Sequence, residues 1–480
     1  MTLLRLLPVA LLAALSVGGG RMAWNRVRPL PPAQVGDPER GRVAFTDSDL
    51  GTTTYASVPR AVWDAIPVLL PDLLPEGWRG VGLIPRPENP DGPPVGWVSR
   101  SLMGTEIYTS NCSLCHTGQF DGKVVVGAPN TDLDIQYLVW VLDSAIRSEK
   151  LTVDAVAQVA EAKGRTLGTV ERQGVRAWIL LARDQVSKKP ATRFIGKAGA
   201  GRSDNLNGFK RIFGLPESHT ALVDLVSVFN QKLKTRSLID GSMTGDHTAR
   251  VMLSELQKGR SGRDALLNRA IFDDIVAYIE GPLEAPKYPY AIDQALAAKG
   301  HAVFSQSCGR CHGAYAPDAP SYPNERVSTR KVGTDPERAL AMSPDMVDAL
   351  ENSDYRGLLK IEGDSAYLAP NLGAVWLTAP YLHNGSVPTL WHLLHPEARP
   401  VAFYRRWNAF DPKRVGLVCE EHGPKGAVEC SPDEKQRTHD PRTLYRLDTK
   451  AWGNGNQGHE YGASLPEADK TALLEYLKTL

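Results

Sequence analysis

Apolar positions recur at helical spacing in several separate stretches of the chain. Over residues 131–149, Ile135, Leu138, Val139, Leu142 and Ile146 fall three or four apart, which predicts an amphipathic helix. Residues 168–187 repeat that pattern, and Thr152 is placed to cap a helix ending near Gly164. Residues 246–260 and 262–280 predict two more. From Ala291 to Gln306, Ile292, Leu296, Val303 and Phe304 share one face with Gly300, where the missing side chain lets another helix approach closely. Ser464 with Glu467 predicts a capping box for a last helix. That helix carries Leu473-Leu474-Glu475-Tyr476-Leu477, similar to Ile275-Val276-Ala277-Tyr278-Ile279.

Between these stretches the pattern breaks. Residues 21–99 hold Pro29, Pro31, Pro32, Pro85, Pro87, Pro90, Pro93 and Pro94, and predict an extended arm without a core of its own. Residues 191–245 carry few regular signals but are apolar between 205 and 230. A linker runs from Gly281-Pro282 to Pro289, and 313–345 is loop-rich. At the N-terminus, Arg5 precedes an apolar run from Leu6 to Val17 that ends in Gly18-Gly19-Gly20. It is short for a bilayer span, so residues 1–20 read as a secretory signal, with an uncleaved anchor as the alternative.

Bulk composition narrows the picture only a little. The 480 residues hold 55 Lys and Arg against 54 Asp and Glu, a balance that implies no nucleic-acid partner. The 43 Gly and 35 Pro suit long irregular loops.

The chemistry lies in the six cysteines. Four occur as Cys112-Ser113-Leu114-Cys115-His116 and Cys308-Gly309-Arg310-Cys311-His312. Two thiols three apart can add across the two vinyl groups of one haem, and the adjacent His can ligate its iron. Zinc or disulfide sites are the bland reading, and neither explains the adjacent His twice. The expectation is two covalently bound c-type haems, held by Cys112, Cys115 and His116 and by Cys308, Cys311 and His312. Bacterial attachment of this kind takes place outside the cytoplasm, which agrees with export and predicts a periplasmic or secreted protein. The remaining Cys419 and Cys430 read as a disulfide in that compartment, with two separate thiols as the alternative.

The two motifs sit in matching frames. Gly104 and Tyr108 lie eight and four residues before Cys112, as Gly300 and Phe304 do before Cys308. Tyr278 and Tyr476 then follow at nearly equal separations. The predicted architecture is mainly α: two haem domains, 100–285 and 286–480, with long irregular loops and the arm at 21–99.

Pro380-Tyr381-Leu382-His383-Asn384-Gly385, with Trp376 before it and Ser386-Val387-Pro388 after it, resembles a segment of bacterial di-haem cytochrome c peroxidases and MauG-type enzymes. Its fuller form, together with Gly458-His459-Glu460-Tyr461-Gly462, is closest to the di-haem rubber oxygenases. The resemblance covers most of residues 100–480 and implies cytochrome c-like domains. It implies a reactive first haem on His116 with an open distal face, and a six-coordinate second haem on His312 that relays electrons. The distal ligand there would be His459, with His383 as runner-up. At the offset that places His459 before Tyr476, the first half has Ser261 before Tyr278, a poor ligand for haem iron.

Three functions follow as expectations. The first is a dioxygenase-like enzyme that uses O2 on an apolar substrate, with Phe209 and Phe213 as candidates for the distal wall. The second is a peroxidase fed by a small redox protein, which needs a distal carboxylate such as Asp204 or Asp240. The third is a non-catalytic electron carrier in which Met243 or Met252 fills the open position.

Overall fold

The computed structural model describes residues 28–50, 57–188, 197–258, 261–316, 319–406, 409–418, 420–422, 428–431 and 444–480. The N-terminal signal reading and Cys419 lie outside them. No helix among the described residues is long and apolar enough to cross a membrane.

Two helix crossings organise the chain. The helix Gln294–Ser307, N-capped by Asp293, crosses the closing helix Glu467–Leu477. They touch at Gly300, where a Cβ would collide with the Ala472 carbonyl oxygen and lie 2.8 Å from Tyr476 Cβ. One helical turn on, Phe304 packs against Tyr476 with ring centres 5.1 Å apart. The second crossing repeats these contacts with different partners. The helix Pro38–Thr46 begins at Asp37, whose side chain accepts from Glu39 and Arg40 N–H groups, and crosses the helix Arg269–Glu280. A Cβ on Gly41 would collide with the Asp274 carbonyl oxygen and lie 2.9 Å from Tyr278 Cβ. Phe45 packs against Tyr278 at 5.8 Å.

This corrects the matching frame. The counterpart of Gly300 and Phe304 in the first half is Gly41 and Phe45, not Gly104 and Tyr108. Gly104 instead sits at φ +79° in the turn between the paired strands Trp97–Leu102 and Thr105–Ser110. Tyr108 packs edge-on to Trp63 at 6.0 Å. Chain inserted between helix and motif builds a local core of its own. The helix Arg60–Leu69 buries Val62, Trp63 and Ile66, and Trp63 stacks on Trp78 at 4.0 Å and meets Trp97 at 4.5 Å. Helices Ile135–Arg147, Val153–Ala162 and Thr169–Ser187 close over the same core. The described part of 21–99 is therefore an integral core-forming segment rather than an arm. Its prolines fall mostly in the irregular stretches before the helix Pro38–Thr46 and before the strand Trp97–Leu102.

The other predicted helices form with local breaks. Residues 246–260 hold His247–Met252 and Ser254–Gln257 as separate short helices, and 262–280 breaks before Arg269. Ser464 does not cap the last helix. Pro466 occupies that position, and the Glu467 carboxylate is taken by His395 Nε2 at 3.0 Å. The chain is helix-rich, at 40%, but 16% is strand, more than a mainly α reading implies. Seven small sheets occur among the described residues. The largest runs Glu420–His422, Glu429–Ser431, Ala402–Arg405 and Tyr445–Asp448, with its central pair parallel. A further apolar core joins both halves of the chain, bringing Phe45, Phe209 and Phe272 together with Met342, Met346 and Tyr355.

The crossings predict opposite signs for similar changes. Gly41→Ala and Gly300→Ala overpack backbone against backbone and should each cost about 1–3 kcal/mol. Gly208→Ala, within the helix Asn205–Phe213 and with no atom nearer than 3.6 Å, should instead stabilise by up to about 1 kcal/mol. Thermal unfolding midpoints check this; equal midpoints for Gly41→Ala and Gly208→Ala would contradict the crossing.

Candidate functional site

Each Cys-x-x-Cys-His motif folds as a single helical turn. Ser113–His116 follows directly on the hairpin, and the His116 N–H donates to the Cys112 carbonyl at 3.1 Å. Gly309–His312 follows the crossing helix, and the His312 N–H donates to the Cys308 carbonyl at 3.0 Å. Such a turn brings the two sulfurs and the imidazole of each motif to one side.

The imidazoles are held alike. His116 Nδ1 donates to the Val226 carbonyl at 2.9 Å, and His312 Nδ1 donates to the Pro370 carbonyl at 2.8 Å. A carbonyl can only accept, so each bond fixes the tautomer that leaves Nε2 bare for a metal. Burial lowers the pKa of both, which keeps them neutral and ligating. The thiols are pushed the other way by burial, Cys112 up to about 12 and Cys115 and Cys308 up to about 11. Redox chemistry at a C-x-x-C pair uses a thiolate, which this setting disfavours; thioether formation does not need a resident charge. The four motif thiols are unbridged.

The two motifs differ on the opposite side. The His459 ring faces His312 with centres 6.1 Å apart and planes at 60°. Two imidazoles on one metal, each with a bond of about 2 Å, put their ring centres about 6 Å apart, so this spacing fits a shared iron. The chain holds His459 firmly. Its N–H donates to the Val332 carbonyl at 2.7 Å, and Arg399 Nη1 donates to the Asn456 and Gly458 carbonyls at 2.6 and 2.8 Å. Gly458, at φ +76°, passes so close to Gly333 that no side chain would fit. Among the described residues no imidazole faces His116. Ser261 is the N-cap of the short helix Gly262–Leu266, accepting from Asp264 N at 3.0 Å.

His383, the runner-up ligand, is placed elsewhere. It stacks on Tyr367 with ring centres 4.0 Å apart, and Tyr367 donates to the Asp335 carbonyl at 2.7 Å. Burial, then the charges of Arg338 and Arg202, push His383 down to about 3. Phe209 is buried and Phe213 partly buried in the core that also packs Cys112. Met243, Met252, Met342 and Met346 belong to the same core. The carboxylates weighed for proton transfer are already engaged. Asp204 caps the helix Asn205–Phe213, and Asp240 pairs with Arg338 at 2.8 Å. Cys430 is buried in the strand Glu429–Ser431, and its proposed partner Cys419 lies outside the described residues.

Sequence reasoning missed Glu255. It is fully buried, pairs with Lys258 at 2.9 Å, and lies close enough to Cys112 to act on its thiol. No motif surrounds it; only its place on the inner face of a short helix betrays it.

Residues 366–405 match the family described as RoxA-like, cytochrome c-like. The match covers the His383 segment and Pro370, supports a cytochrome c-like family and implies a haem cofactor. The chain is also similar to two uncharacterized proteins of Sinorhizobium fredii. It is 26% identical to y4iM over 54% of its own length and 64% of that protein, and 26% identical to y4iJ over 41% of each. The chain thus spans less than two thirds of the length of either relative.

His459→Gly should convert one of two haems from low to high spin in the optical and EPR spectra, while His383→Gly leaves ligation unchanged. The reverse result would move the ligand to His383.

Proposed function

We propose that the chain is an exported di-haem c-type oxidoreductase in which the two haems divide the work. The haem at Cys112, Cys115 and His116 is the reactive one, with an open distal face. The haem at Cys308, Cys311 and His312 is six-coordinate through His459. The observation that carries this reading is the imbalance of ligands: an imidazole faces His312, and none among the described residues faces His116. The closely similar helix crossings support two cytochrome c-like units, and the even charge balance fits a partner other than nucleic acid.

When bound, the first haem supplies O2 binding and activation and the second supplies electron relay. The protein's own part is positional. Val226 and Pro370 orient the motif imidazoles through their Nδ1–H groups and raise the basicity of Nε2. Phe209, Leu206, Met243 and Met252 form an apolar body beside Cys112 that keeps water away. Asp204 and Asp240 are tied to a helix end and an arginine, so neither is free to move a proton. An apolar surround whose nearby carboxylate, Glu255, is paired with Lys258 favours O2 and an apolar substrate, as in the rubber oxygenases that the sequence resembles.

Glu255 sustains a second reading, a peroxidase that draws electrons from a small redox protein through the second haem. It is a buried carboxylate beside the first motif, held by Lys258. As an electron carrier, the protein would need one of the nearby methionines on the first iron.

Imidazole or cyanide should shift the spectrum of one haem only, with the affinity changed several-fold by Phe209→Ala. The oxygenase reading predicts turnover with O2 that survives Glu255→Gln. Loss of peroxide turnover by more than about tenfold in Glu255→Gln would establish the peroxidase instead. Failure of both ligands to bind would leave the electron carrier.

A further inference from the structure

Burying a polar group without a partner is costly, and burying a charge costs more. Where such groups gather, they point to something that completes them. Two strips of chain start at the carbonyls that hold the motif imidazoles. Residues 226–234 begin at Val226, and 370–376 begin at Pro370. The strips touch. Asn230 Nδ2 donates to Asn371 Oδ1 at 3.2 Å, and a side chain on Gly373 would collide with Asn230.

Each strip carries donors without acceptors. Trp376 is 2% exposed, and its indole N–H has no partner. Its ring is wedged edge-on between Phe120 at 5.0 Å and Tyr288 at 5.4 Å, so it is not free to turn the N–H to water. Asn371 Nδ2 is also buried and unpartnered. On the other strip, Lys234 is half-buried, and its side-chain amine has no hydrogen bond or ion pair with a described residue. Its backbone is clasped from both sides by Asn324, which donates to the Leu233 carbonyl at 3.0 Å and accepts from the Thr235 N–H at 2.9 Å. Burial with no acid at hand pushes the amine down to about 8, and its charge reaches His116. Among other cations near the sites, Arg338 pairs with Asp240 and Lys258 with Glu255, while the Lys210 amine is buried in the helix Asn205–Phe213 without a hydrogen bond.

We propose that the junction of these strips is a carboxylate-binding site, where Lys234, Trp376 and Asn371 receive haem propionates. The inference rests on the haem reading above and adds the contacts for the ring's acidic edge. A haem that is enclosed buries carboxylates with it, and each needs a donor. Lys234, on the strip that orients His116, serves the first haem. Trp376 and Asn371, on the strip that orients His312, serve the second. The Lys234 ammonium neutralises its carboxylate and disfavours the oxidised iron, which raises the first haem's potential.

The test uses the full holoprotein and the variants Lys234→Met, Lys234→Arg and Trp376→Phe. Each is read by midpoint potentials and by the propionate bending bands in resonance Raman spectra. Lys234→Met should lower the potential of the imidazole-binding haem and shift its propionate band, and Lys234→Arg should restore both. Trp376→Phe keeps the ring packing and should shift the propionate band of the other haem alone. Unchanged bands in both Lys234→Met and Trp376→Phe, at two haems per chain, would overturn the site. Wild-type potentials that follow added inorganic phosphate, with bands unmoved by mutation, would make it a free-anion site and also overturn it. If Lys234→Met does not fold, Trp376→Phe alone decides. Failure of the underlying haem reading is distinct, because the wild type would then hold no covalent haem.

Discussion

A helix crossing too tight for one methyl group sets the position of everything else in this chain. At Gly300 the backbone of one helix rests on the Ala472 carbonyl of another, and at Gly41 the same contact is made with Asp274. Backbone contact of this kind fixes both the distance and the angle between helices, which looser side-chain packing would leave adjustable. In the second half the Cys-x-x-Cys-His turn follows its crossing helix immediately, so the crossing aims it directly. In the first half the turn is reached only after a helix, a hairpin and a tryptophan-rich core have been inserted. The His116 to Val226 bond then sets the ring in the orientation that Pro370 gives His312.

On this shared frame the difference between the halves gains meaning. Gly458 and His459 adopt left-handed backbone conformations, and Arg399 grips the carbonyls on either side of Gln457. A conformation that disfavours an ordinary side chain is held by several bonds to bring one imidazole opposite another. Among the described residues nothing comparable is built around His116. What stands near that motif is apolar core, drawn from both halves of the chain, with the Glu255–Lys258 pair beside it. On the proposed reading, one half would saturate its metal and the other would leave a coordination position free.

The two motifs are legible because their five-residue spacing is fixed, and each folds as the same single helical turn. The resemblance around Gly458-His459-Glu460 singled out His459, and the structure places its ring opposite that of His312. The first crossing helix was misplaced because the frame was counted back from Cys112, and counting cannot see an insertion. Gly41 and Phe45 carry the same four-residue spacing as Gly300 and Phe304, and comparison with that spacing alone would have found them. The capping box at Ser464 failed because His395, distant in sequence, competes for Glu467. The short strands were missed because two to four residues are too few for an alternating pattern to register. Glu255, Lys234 and Trp376 carry no motif, and their importance comes from burial and from the lack of a partner or the closeness of Cys112.

The central claim is that both Cys-x-x-Cys-His turns hold covalent haem. The most direct measurement is the mass of the denatured wild-type chain after acid–acetone extraction, with a pyridine haemochrome spectrum of the same sample. The account predicts two haems retained per chain and c-type absorption. A chain that retains one haem or none would contradict it.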